Sequence, residues 1–227
     1  MKARAGRTRT TTRLLAMMTA VHPMPRRGRF AAGMLMGLSF LAGAAQASEA
    51  GSIKAGREAA QSCAACHGDK GNSNNPAFPS LAGQPAKYVA SQLTAYRDGK
   101  RENAIMNGQA SGLSDQQIQD IAAYYAAQER KVASPADEGS ELGADLYHQG
   151  RENVAACAAC HHSEALGNQP AGFPALRGLT AGYVAQSLKD YRSGARAHGQ
   201  ATLMAPLAAE LTDDEIDALA AHIASLD

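Results

Sequence analysis

Every cysteine of the chain lies in one of two copies of a pentapeptide, Cys63-Ala64-Ala65-Cys66-His67 and Cys157-Ala158-Ala159-Cys160-His161. Two thiols at this spacing can add across the two vinyl groups of a porphyrin. A histidine directly after the second thiol is then placed to ligate the iron from one face, which is the pattern of c-type haem attachment. Other uses of paired cysteines ask for something the chain lacks. A disulfide gives the histidine and the duplication no purpose. A thioredoxin-like dithiol belongs in a βαβ setting, and a zinc site of two cysteines and two histidines needs a second histidine at fixed spacing in both copies. Two covalent haem c groups are therefore expected, one on Cys63 and Cys66 and one on Cys157 and Cys160, with His67 and His161 as proximal iron ligands.

The methionines supply the opposite ligand. Six of the eight (Met1, Met17, Met18, Met24, Met34, Met36) fall in the first 47 residues. That leaves Met106 and Met204, one per copy, each seven residues ahead of a Leu-Ser/Thr-Asp segment at Leu113 or Leu211. A buried methionine usually fills a gap in a core. One per pentapeptide at matched positions instead favours a soft thioether on low-spin iron, where a His/Met pair raises the potential. Met106 and Met204 are the expected sixth ligands. Iron held by two protein ligands has no position left for a substrate and can only change oxidation state. The chain thus reads as an electron carrier and not an enzyme. Of the other histidines, His162 follows a ligand directly and emerges on the same side, His198 reads as a loop residue, and His148 and His222 as helix-surface residues.

The first 47 residues read as an address. They hold eight basic residues and no acidic one, then an apolar run from Phe30 to Ala45 and a small-residue site, Ala45-Gln46-Ala47. This is the order of an export signal, with cleavage expected after Ala47 and the periplasm as destination. Met24 would also open a complete signal. The chain beyond Ala47 has 14 basic and 21 acidic residues, a net of −7, so the basic leader is no footprint of nucleic-acid binding.

The elements that position these residues are duplicated too. Phe78-Pro79-Ser80-Leu81-Ala82-Gly83 matches Phe173-Pro174-Ala175-Leu176-Arg177-Gly178, and Tyr96-Arg97-Asp98-Gly99 matches Tyr191-Arg192-Ser193-Gly194. The second copy carries about four extra residues near 196–201. The organisation expected is residues 1–47 as signal, 48–133 as a first domain, 134–141 as a linker with Pro135 and Gly139, and 142–227 as a second domain. Each copy reads as helices and loops, without sustained strand alternation. A first helix is expected over 55–65 and 144–159, running into the haem motif. A middle helix is expected over 86–97 and 180–192, and a last helix after the capping boxes Ser114 to Gln117 and Thr212 to Glu215. Ile118, Ile121, Ala122 and Tyr125 form the inner stripe of one last helix, and Ile216, Leu219, Ala220 and Ile223 that of the other. The stretch after Ala47 has no Trp and only two Phe. A domain near 90 residues with so few large side chains needs a staple, and a covalent porphyrin is one. Tyr88, Tyr96 and Arg97, with Tyr183, Tyr191 and Arg192, are candidates for holding its propionates.

With these marks the chain resembles the cytochrome c4 family of dihaem bacterial cytochromes. The resemblance spans essentially everything after the leader. It implies an all-α fold of two tandem class I cytochrome c domains about a pseudo-twofold axis, one covalent haem each, with propionates meeting at the domain interface. It also implies periplasmic electron transfer from a cytochrome bc complex to a terminal oxidase, with loose membrane association and no nucleic-acid partner. A monomer is expected. The alternatives are a cytochrome subunit of a larger dehydrogenase and an enzyme of the dihaem peroxidase or thiosulfate dehydrogenase type. One departure from the family pattern is His162, where such sites carry Gly.

Overall fold

The computed structural model describes residues 51–132 and 139–226. The expected signal at 1–47 and residues 134–138 of the expected linker lie outside them. The first copy folds as α1 (Ile53–Ala59), α2 (Ala64–His67), α3 (Ala86–Arg97), α4 (Ala104–Ala110) and α5 (Asp115–Ala126). The second repeats the order as α6 (Glu141–His148), α7 (Ala158–His161), α8 (Ala181–Ser193), α9 (Ala201–Ala209) and α10 (Asp213–Ser225). The described residues contain isolated bridges but no strand, so the fold is all-α.

Local chemistry sets the helix starts. Ser52, Asn103, Ser140 and Thr180 each accept a backbone N–H of the first turn. Both expected capping boxes are complete: Ser114 with Gln117, and Thr212 with Glu215. The inner stripes of α5 and α10 are buried at every expected position. In the first domain Ile118, Ile121, Ala122 and Tyr125 pack with Val89 and Ala90 of α3. In the second, Ile216, Leu219, Ala220 and Ile223 pack with Leu146 and Tyr147 of α6 and Val184 and Leu188 of α8.

The expected first helices are interrupted. In the first domain the helix stops at Ala59, and a turn precedes the short α2. In the second, α6 ends at His148 and a loop bridged between Arg151 and Val154 separates it from α7. Gly150 ends the continuity there. Its φ of +68° is a left-handed conformation that glycine adopts without strain, and a Cβ on it would stand 2.3 Å from the Val154 carbonyl oxygen.

Two glycines let the terminal helices of each domain cross in contact. A Cβ on Gly56 of α1 would lie 1.9 Å from the Asp120 carbonyl oxygen of α5, and one on Gly143 of α6 would lie 2.0 Å from that of Ala218 in α10. Backbone cannot yield as a flexible side chain would, so the helices must part. Gly56→Ala or Gly143→Ala should destabilise its own domain by about 3 kcal/mol. Thermal unfolding followed by circular dichroism should then show a midpoint lower by roughly 10–20 °C. An unchanged midpoint would mean that the helices do not approach this closely.

Candidate functional site

In the first domain the residues expected to hold the cofactor converge. Cys63, Cys66, His67 and Met106 all line one cavity of about 840 Å³. The turn before α2 and α2 itself carry the thiols and the histidine. Helix α4, which periodicity did not suggest, carries the methionine, and Asn103 caps it by accepting from the Met106 N–H at 3.0 Å. Leu81, Val89, Leu93, Ile121 and Tyr125 supply apolar wall. In the second domain Cys157 and Met204 pack against one core together with Leu176 and Tyr183.

Both histidines are held the same way. His67 is 7 % exposed and His161 5 %. Each brings Nδ1 to 2.8 Å from a proline carbonyl oxygen, that of Pro79 or Pro174. A carbonyl can only accept, so Nδ1 carries the proton and Nε2 keeps a free lone pair, the arrangement of an imidazole ready to ligate a metal. Burial holds both rings below the ordinary histidine value, against the opposing pull of the carbonyl, and so keeps them neutral. The two prolines occupy the same place in the duplicated Phe-Pro-x-Leu-x-Gly segment, which is the sequence signal that could have identified them. Burial pushes the Cys63 thiol upward and the Cys157 thiol up to about 11.

The polar end of the cavity corrects one expectation. Arg97 and Arg192 do not face it. Arg97 pairs with Asp115 at 2.7 Å and reaches the Leu113 carbonyl. Arg192 pairs with Asp213 and reaches the Leu211 carbonyl. Each therefore ties the end of a middle helix to the start of a last one. The arginines that do line the cavity are Arg101 and Arg196, both buried. Arg101 Nη1 donates to Gln92 Oε1 at 2.7 Å and its guanidinium lies 4.7 Å from the centre of the Tyr96 ring. Arg196 Nη2 donates to Tyr88 Oη at 2.8 Å and to Gln92 Oε1 at 3.0 Å, while its Nε is buried without a partner. Tyr88, Tyr96 and Tyr183 line the same cavity, as expected of propionate-side tyrosines.

These residues fit a haem. No carboxylate among the described residues pairs with Arg101 or Arg196. Burial would raise Tyr183, but Arg101 and then Arg196 outweigh it and bring the phenol down to about 8. The two buried guanidinium groups thus place positive charge at this end of the cavity, which a flat apolar group bearing carboxylates would neutralise. The position of both arginines, five residues after Tyr96 and Tyr191, repeats in the sequence.

Three further histidines differ in kind. His198 is half-buried, 3.3 Å from Gln92 Oε1 across the domain boundary, and not a solvated loop residue. His222 is buried in the α6–α10 crossing against Tyr147, while His148 is exposed as expected. His162 has φ 73° and ψ 150°, where the first domain has Gly68 at φ 79° and ψ 169°. That region belongs to glycine and strains any other residue by about 1–3 kcal/mol. His162→Gly should therefore stabilise the second domain by about 1 kcal/mol, net of glycine's extra chain entropy. A rise in its melting midpoint of roughly 4–8 °C is expected, and a fall would show that the side chain's bond to the Glu164 N–H outweighs the strain.

Residues 53–127 and 140–227 each match the Cytochrome c family profile. A cytochrome c4 from Pseudomonas aeruginosa is 40 % identical over 196 residues, covering 85 % of this chain and 95 % of its own. A thiosulfate dehydrogenase electron acceptor from Thiomonas intermedia is 36 % identical over 173 residues, covering 73 % and 79 %. The crystal structure of reduced recombinant cytochrome c4 from Pseudomonas stutzeri superposes with a TM-score of 0.74 at 37 % identity, covering 78 % of this chain and all of that one.

Proposed function

Because the chain belongs to the cytochrome c4 family of dihaem electron-transfer proteins, we propose that it carries single electrons in the periplasm, from a cytochrome bc complex to a terminal oxidase. When bound, haem c supplies a one-electron iron couple. The chain's own residues then have distinct tasks. Cys63 and Cys66, and Cys157 and Cys160, anchor the two groups. His67 and His161, each ring fixed by its proline carbonyl, would offer Nε2 to the iron. Met106 and Met204 would supply the second ligand, and the apolar wall of the first cavity would keep water out.

The observation that carries this reading is the convergence of Cys63, Cys66, His67 and Met106 on one cavity with the His67 proton committed to Pro79. With haem bound, His67 and Met106 would both be available to the iron, which would leave no open position for a substrate. The test is an anaerobic reductive titration of the holoprotein, repeated under carbon monoxide. Two one-electron steps with spectra indifferent to carbon monoxide are expected. A carbon monoxide adduct of the native reduced protein would overturn the carrier reading in favour of an enzyme.

The Thiomonas relative favours a second reading, in which the electron donor is a dehydrogenase and the chain its acceptor. Co-purification from the periplasm separates the two. A stable complex with a dehydrogenase supports the second, and a free chain that is reduced by a cytochrome bc complex supports the first.

A further inference from the structure

We propose that Arg196, a residue of the second domain, belongs to the cofactor site of the first domain and raises that site's reduction potential. The inference rests on the proposed haem-carrying function. Arg101 and Arg196 are equivalent in the duplicated sequence and meet at the domain boundary, where their backbones bridge and each guanidinium lies over its own domain's tyrosine, 4.7 Å from the Tyr96 ring centre and 4.5 Å from that of Tyr191. Both line the cavity that holds Cys63, Cys66, His67 and Met106. Arg101 enters it from its own domain and Arg196 from across the boundary, together with Tyr183 and Ser187 of α8.

One contact of this pair is not repeated in the other domain. Gln92 Oε1, on α3, accepts from Arg101 at 2.7 Å and from Arg196 at 3.0 Å, with His198 a further 3.3 Å neighbour. The offset that aligns Tyr96 with Tyr191 puts Ser187 opposite Gln92. A serine hydroxyl is too short to gather two guanidinium groups, so the acceptor exists only on the first domain's side. Tyr88, also on α3, takes the second Arg196 bond at 2.8 Å. The Arg196 guanidinium is further sandwiched by tyrosine, 4.5 Å from the centre of the Tyr191 ring and 6.0 Å from that of Tyr88.

Such a charge needs an answering one. Arg196 is 2 % exposed and its Nε has no acceptor. The acidic residues that line the cavity do not answer it: Asp190 accepts from Gln186 and only its backbone carbonyl bonds the Arg196 N–H, while Glu102 is exposed. A guanidinium buried this way is strongly unfavourable unless a carboxylate-bearing group meets it. Once met, its cationic charge in a low-dielectric setting still favours the reduced, less positive form of a nearby one-electron centre. The first site's potential therefore depends on a residue that only the docked second domain delivers.

The test is a spectroelectrochemical titration of the full dihaem protein, wild type against Arg196→Gln and Arg196→Lys. Beyond residue 47 the chain holds only Met106 and Met204, so methyl-labelled methionine followed by NMR assigns each couple to its domain. Arg196→Gln should lower the reduction equilibrium constant of the Met106 site about tenfold, equivalent to about 60 mV. The Met204 site should move less than half as far, and Arg196→Lys should recover most of the loss. No shift at either site, a larger shift at the Met204 site, or no recovery with lysine overturns the proposal. If Arg196→Gln does not hold its fold, Tyr88→Phe is read the same way, with a fall of about twofold expected and no fall contradicting. Mass measurement of each variant comes first, so that loss of a haem is distinguished from loss of this interaction.

Discussion

Replacing Met106 and Met204 together by alanine should abolish the weak far-red charge-transfer band of the oxidised protein and open both irons to carbon monoxide. The single replacements should each remove half of the band. Met106 lines the cavity that holds His67, on a helix whose capping by Asn103 fixes its first turn. Alanine cannot reach the iron from the same backbone. Met106→His keeps a ligand but exchanges a thioether for an imidazole, and should lower that site's potential by on the order of 200 mV, well inside the ~0.8 V that axial ligands span. A band that survives in the double variant would remove methionine from the coordination sphere.

Loss of the anchors should be more drastic. Cys63→Ala with Cys66→Ala leaves the first domain with its cavity of about 840 Å³ and nothing tied into it. At ~24 cal/mol per Å³, leaving even a quarter of that volume unfilled costs about 5 kcal/mol. Small domains have only ~5–15 kcal/mol in total. The core that remains is thin: Ala60, Val89, Ala90, Ile118, Ile121, Ala122 and Tyr125. The first domain should therefore unfold while the second keeps its haem and helicity. Limited proteolysis should then digest the first domain and leave a fragment that begins near the boundary between domains. Full protease resistance of the variant would show that the polypeptide is stable without the group.

What was legible in the sequence was whatever repeats or obeys a local rule. The pentapeptides, the paired methionines, the capping boxes and the stripes of α5 and α10 follow from residue type and spacing alone, and the structure contains each of these helices and burials. The misread features depend on three dimensions. Arg97 and Arg192 stand beside tyrosines and look suited to the cofactor, yet their helix faces turn them toward Asp115 and Asp213. Arg101 and Arg196 lie beyond the helix ends, where no periodicity predicts direction. His222 sits on the α10 flank that α6 covers, so its burial depends on a crossing angle and not on a pattern. The end of α6 was hidden because Gly150 is the only interruption between helix-compatible residues and the haem motif. His162 is the converse: the comparison with Gly68 exposed it in the sequence, and its positive φ gives the reason.

This chain carries two covalently attached haems. Mass spectrometry of the purified protein, unfolded in denaturant with reductant present, tests it most directly. Thioether bonds survive both treatments, whereas coordinate bonds and disulfides do not. The expected mass is that of the chain beginning near Ser48 plus two haems, with colour retained by the unfolded polypeptide. A mass of bare polypeptide, with haem released or never present, would contradict it.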